Sequence, residues 1–186
     1  MKRSTPEIVV PVAQHIWDSQ VCCDMEVETD CGERIPCHSS FLVARSEFFS
    51  AKNRFVENAH SSQSAQCSGR GRTVTKVSGI QSSALRICIM SCYDLPPSLT
   101  SDNVVEVLMA ADQLQMTLLG AECEKFCHGA RLRHQASILT QVHGCPKTPA
   151  QKRLVEYLVT QLSQNLHSWL CDFPVAAKLV LKKKKA

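Results

Sequence analysis

Eleven cysteines and seven histidines are the residues of this 186-residue chain best suited to chemistry. Cys88 and Cys92, and likewise Cys123 and Cys127, stand four apart, which places each pair on one face of a helix. With His38 and His128 they offer ligand types that zinc takes. Structural zinc sites prefer closer knuckle spacing, however, and the same pairs serve equally as thiols on an apolar core face, so neither a metal nor a cofactor is expected. Cys37 and His38 are neighbours, but successive strand residues point to opposite faces and do not make a thiolate with its base. No other group has the arrangement of a catalytic triad, so the chain reads as a non-enzyme. Cys67 stands apart. In Gln66-Cys67-Ser68-Gly69-Arg70-Gly71-Arg72 it has a polar loop around it and two nearby guanidiniums that favour the thiolate. It is the candidate reactive thiol, or else a loop cysteine without a role.

The remaining composition narrows the classes of partner. The net charge of +4 resides in Lys182, Lys183, Lys184 and Lys185, and the rest of the chain is electrically neutral. A broad phosphate-binding face is therefore not expected, and the lysine run reads as a solvated tail. No apolar run approaches the roughly 20 residues of a membrane span, and the apolar stretch 8–13 is interrupted by Pro11. An odd cysteine count, with several thiols inside apolar periodic segments, suits a reducing compartment. The expectation is a soluble protein of the cytoplasm or nucleus, without nucleic acid or membrane partners.

Hydrophobic periodicity then supplies the elements that position these groups. Ile8, Val9, Val12, Ile16 and Trp17 recur at helical spacing, and their apolar face needs a cover, either the domain itself or a second copy. Residues 24–29 alternate apolar and acidic, residues 30–33 have turn chemistry, and 34–37 return as a second strand, with Pro36 tolerated at an edge or strand end. Phe41, Leu42, Ala44, Phe48, Phe49 and Phe55 give two short helices broken at Ser46, a helix N-cap, and the phenylalanines are assigned to the core. Residues 58–72 lack periodicity and read as a loop, 73–77 as a third strand, and 82–93 as a helix. The stretch 103–116, apolar on nearly every side, reads as a buried helix with N-cap oxygens at Ser98, Thr100 and Ser101, followed by another over 118–127. The order is α+β, with helices clustered on a small mixed sheet.

Several of these residues recur in one known pattern. Asp24-Met25-x-Val27, Ile35-Pro36-x-His38-x-x-x-Leu42-x-Ala44-Arg45-Ser46-x-Phe48-Phe49, Tyr93, the stretch 103–116 and Cys123 together resemble a BTB/POZ domain of the Kelch-like type. His143-Gly144-Cys145 and the helical 154–162 are similar to the first helices of the BACK domain that follows it in that family. The resemblance implies a BTB/POZ domain over 1–128 with an N-terminal dimerisation helix, a partial BACK-like helical region over 129–181 and a lysine-rich tail over 182–186. No Kelch repeats follow. Where the family has Lys or Arg beside the histidine, this chain has Ser39, so in the pocket of Asp24, His38 and Ser39 the aspartate is expected to use His38 or to stay solvated. The family's Tyr-Thr-Gly turn is here Tyr93-Asp94-Leu95.

The function that the resemblance implies is a protein-interaction module, a homodimer joined through Ile8, Val9, Val12, Ile16 and Trp17. It would act as the substrate-specific adaptor of a cullin-3 ubiquitin ligase. Members that bind cullin-3 carry an apolar-x-Glu motif after the third helix, where Phe55-Val56-Glu57 stands here. The recruited substrate protein is unspecified. The alternative is a BTB oligomerisation scaffold in transcriptional or cytoskeletal complexes without ligase activity, and a zinc or redox protein on the same fold is a third reading.

Overall fold

The computed structural model describes residues 9–60, 72–143 and 148–165. The chain divides into two compact units, Met1–Ser98 with Gln113–Met116, and Leu99–Asp112 with Thr117–Ala186.

In the first unit, helix α1 (Val9–Ser19) leads into strands β1 (Met25–Glu28) and β2 (Arg34–Cys37), helices α2 (Ser39–Arg45) and α3 (Glu47–His60), strand β3 (Thr73–Lys76) and helix α4 (Ser82–Cys92). The sheet order is β2-β1-β3. β2 pairs antiparallel with β1, opposing Met25 to Cys37 and Val27 to Ile35, whereas β3 pairs parallel. Met25, Val27, Ile35 and Cys37 turn inward, and Glu26, Glu28 and Arg34 form ion pairs on the other face, as the alternation requires. Gly32, at φ +82°, makes the hairpin turn possible. Pro36 lies on an edge strand, where no ladder partner needs the N–H it lacks. From α4, Ala84, Leu85, Cys88, Ile89 and Cys92 complete this core at helical spacing.

Ser46 is a structural node. Its hydroxyl accepts from the Phe49 N–H at 3.3 Å, capping α3, and donates to the Leu114 carbonyl at 2.6 Å, while its own N–H ends α2 on the Leu42 carbonyl. Helix α3 runs to His60, so 58–60 belong to a helix and not to the loop that their composition suggested. Among the phenylalanines, Phe49 is core, whereas Phe41 and Phe48 are half-buried.

In the second unit, helix α5 (Val104–Gln113) buries Val104, Val105, Val107, Leu108, Ala110 and Ala111, which matches the all-round apolar pattern. Thr100 Oγ1 accepts from the Asp102 and Asn103 amides, and Asn103 Oδ1 accepts from Thr100 N–H, a reciprocal box before the helix. The helix stops at Gln113, short of the expected 116, because Gln115 takes a left-handed conformation at φ +54°. Helices α6 (Thr117–Gly129), α7 (Leu132–His143) and α8 (Pro149–Gln164) follow. They pack through Leu119, Cys123 and Cys127, through Ile138, Leu139 and Val142, and through Leu154, Leu158 and Leu162. Thr148 and Gln151 form a full capping box with Pro149 at the first helical position. No described helix is long and apolar enough to cross a membrane.

Candidate interaction surface

Of the residues singled out around Asp24, His38 meets Tyr93. The Tyr93 ring is buried, stacks on Phe41 with centroids 4.5 Å apart, and meets Trp17 of α1 edge-on at 5.3 Å. The hydroxyl accepts from the His38 backbone N–H at 2.8 Å and faces His38 Nδ1 at 2.9 Å, while Nε2 faces the Val21 carbonyl at 2.9 Å. A carbonyl only accepts, so Nε2 donates its proton there, and with Nδ1 facing the Tyr93 hydroxyl both ring nitrogens are used. His38 thereby ties the connector after α1 to the body of the domain. Two non-glycine residues in that connector, Gln20 at φ 48° and Cys22 at φ 60°, hold left-handed conformations that cost energy unless the surroundings fix them.

Asp24 does not take His38 as its hydrogen-bond partner and is not merely solvated. Oδ1 accepts from the Ser39 backbone N–H at 2.7 Å and Oδ2 from the Ser39 hydroxyl at 2.5 Å. Serine reaches the carboxylate because its own amide already does, at the start of α2, so the pair needs no long cation. Partial burial pushes the Asp24 carboxyl up, but the two Ser39 bonds outweigh it and leave the group below the ordinary carboxylate range. A depressed value contributes stability above the unfolded value near 4, and this contribution is lost as pH falls through the folded value. Ser39→Ala is therefore expected to lower the urea midpoint at pH 7 and to flatten its fall below pH 4. Equal pH dependence in both proteins would refute the assignment.

Helix α1 presents two stripes. Ala13 and Trp17 are buried, whereas Val12 is 55% exposed and Ile16 half-buried on the neighbouring stripe. Trp17 thus covers its own domain, and among the described residues of α1 the outward apolar side chains are Val12 and Ile16. Ile8 lies outside the described residues, and Val9 is placed on the helix by its backbone. The Phe55-Val56-Glu57 backbone lies within α3 and not after it as expected, because the helix continues to His60.

At the next turn, Arg45 pairs with the Asp94 carboxylate. Asp94 has φ +58°, so the Tyr93-Asp94-Leu95 turn keeps a left-handed residue without glycine, with the ion pair fixing it.

The cysteines divide by burial. Cys37, Cys92, Cys123 and Cys127 lie in the interior, where burial pushes their thiols up to about 12, and Cys88 is equally buried. Such groups are apolar fillers that stay protonated. Among the described residues no cluster of His, Cys, Asp and Glu is arranged to hold a metal. Cys67 lies outside the described residues. The thiol that its residue type did not advertise is Cys31, exposed in the hairpin turn at a cleft of about 540 Å³. Its sulfur lies 3.2 Å from the hydroxyl of Ser82, the first residue of α4, and 3.0 Å from that of Thr29. These bonds and the Glu33 amide draw its pKa down. Limiting iodoacetamide is expected to alkylate Cys31 well before Cys37, Cys92, Cys123 or Cys127, read by peptide mass spectrometry; labelling at equal rates would contradict this.

The family model of the BTB/POZ domain matches residues 14–130. The chain belongs to the BTB/POZ family. The BTB (Tramtrack and Bric a brac) domain of human gigaxonin shares the fold at 23% identity and a TM-score of 0.51, covering 68% of this chain and 96% of that one. The BTB domain of zebrafish PATZ1 aligns at 18% identity and a TM-score of 0.48, covering 70% and 99%. No curated protein matches the chain. BTB domains self-associate and bind other proteins, a function that needs surfaces more than reactive groups.

No periodicity pointed to the Tyr93 cluster, since His38 and Tyr93 stand 55 positions apart. The one signal was the presence of both in the family pattern.

Proposed function

We propose that this BTB domain forms a homodimer through α1 and serves as a Kelch-like-type adaptor that docks on cullin-3. The observation that carries this reading is the Phe55-Val56-Glu57 segment, an apolar-x-Glu sequence in the last two turns of α3. An apolar knob beside a carboxylate fills a groove and fixes register at once. The exposed Val12 supports the dimer, since an apolar helix face beside a closed core is the kind of surface a second copy covers. In this reading residues 1–128 dock, and the BACK-like region 129–181 or the stretch 58–72 recruits the substrate protein, in the cytoplasm or nucleus.

Calorimetry against the N-terminal domain of cullin-3 tests it. Binding in the range of about 1 μM, roughly −8 kcal/mol, is expected and should be lost in Phe55→Ala/Glu57→Ala with unchanged circular dichroism. A folded dimer that does not bind is a scaffold without ligase activity.

A further inference from the structure

The two outer edges of the sheet are closed differently, and the β3 edge depends on a residue from another element. Thr73 N–H donates to the Asp24 carbonyl at 3.0 Å and Val77 N–H to Glu28 at 2.9 Å, which fixes the sides of the strand. Along a parallel strand the polar groups of alternate residues point to opposite sides, so Val74 and Lys76 direct N–H and C=O away from β1. Val74 is 45% exposed, and among the described residues nothing pairs with its backbone. The outward carbonyl of Lys76 does have a partner: Lys52 Nζ of α3 donates to it at 2.9 Å while lying 5.1 Å from the centroid of the Phe48 ring. An ammonium at this place obstructs an incoming strand twice. It occupies the carbonyl that the strand would need, and pairing would strip its hydration without supplying a counter-charge. On the opposite edge, Pro36 of β2 has no N–H to offer, so proline does there what lysine does here.

We infer that Lys52 closes the β3 edge against a second copy of this chain. The excluded pairing is edge to edge: Thr-Val-Thr-Lys has two β-branched threonines and a valine, and a two-fold would set Val74 near its own counterpart. Such a contact is isologous. If α1 also dimerises, the two interfaces together link copies into open chains instead of a closed dimer. The inference does not rest on the α1 reading, because without that interface the edge contact would yield simple pairs.

Sedimentation velocity of the full chain tests it with Lys52→Met, Lys52→Arg and Lys52→Met/Val74→Pro. Lys52→Met keeps the stem over Phe48 and removes the charge, and is expected to raise the weight-average mass with concentration, towards twofold if the edge contact acts alone and beyond twofold if α1 also dimerises. Lys52→Arg keeps the wild-type mass. Val74→Pro removes an outward N–H that β1 does not use, and its addition restores the wild-type mass. A folded Lys52→Met protein that sediments as the wild type overturns the inference, and so does a double variant that associates as strongly as the single one. Should Lys52→Met not fold, hydrogen exchange on the wild type decides: a fast-exchanging Val74 amide beside a protected Thr75 amide supports the closed but unpaired edge, and equal protection of the two overturns it.

Discussion

Replacing Tyr93 by alanine is expected to cost about 3–5 kcal/mol of unfolding free energy, the range for deleting a large buried aromatic. Two separable losses add up to this. The first is packing: the ring is 2% exposed, stacks on Phe41 and takes the edge of Trp17, so its removal opens a cavity between α1, α2 and α4. The second is polar. Without the hydroxyl, the His38 backbone N–H and Nδ1 both lose their partner, and a part-buried group left unpaired costs about 1–3 kcal/mol. Tyr93→Phe isolates that second loss and should show it nearly in full, because the ring stays. Urea denaturation of wild type, Tyr93→Phe and Tyr93→Ala measures both. If Tyr93→Phe matches the wild type within about 0.5 kcal/mol, the hydroxyl is not what holds His38. The connector responds in parallel: with Nδ1 free, the left-handed Gln20 and Cys22 are restrained by the His38 bond to the Val21 carbonyl and the Arg72 bond to the Cys23 carbonyl.

What could be read without coordinates was what depends on neighbours along the chain. Alternation gave the β1–β2 hairpin and its inward face, the Ser46 break gave the cap of α3, and helical spacing put Cys88, Cys92, Cys123 and Cys127 in the interior. What escaped depends on backbone conformation or on distant segments. The serine beside Asp24 reads as the loss of a charge partner, and only the turn into α2 shows that its amide and hydroxyl reach the carboxylate together. The end of α5 was misplaced by three residues because nothing in Leu-Gln-Met announces a left-handed Gln115. Cys31 is not marked by its neighbours in the chain, because the donors around its sulfur come partly from Ser82, fifty-one positions away.

Helix α1 shows the same division in a form that predicts assembly. Ala13/Trp17 and Val12/Ile16 are both apolar pairs at i, i+4, so periodicity alone could not tell which stripe faces the domain. The Trp17–Tyr93 contact decides it, and the two stripes then have different expected phenotypes. Trp17→Ala should destabilise the fold by about 3–5 kcal/mol, like any large core deletion. Val12→Asp/Ile16→Asp should cost the folded monomer only about 1–2 kcal/mol of unfolding free energy, because Val12 is mostly in solvent and Ile16 half-buried within one chain, whereas the added stability that a dimer gives the wild type is lost. In the proposed dimer the same aspartates would enter an apolar interface beside their own two-fold copies, without hydrogen-bond donors. Burying even one such unpaired charge exceeds about 3 kcal/mol, so the dimer dissociation constant should rise at least about 100-fold. Sedimentation equilibrium at micromolar concentration should then find a folded monomer. A Val12→Asp/Ile16→Asp protein that remains a dimer would remove α1 from the interface and leave the exposed valine without a partner.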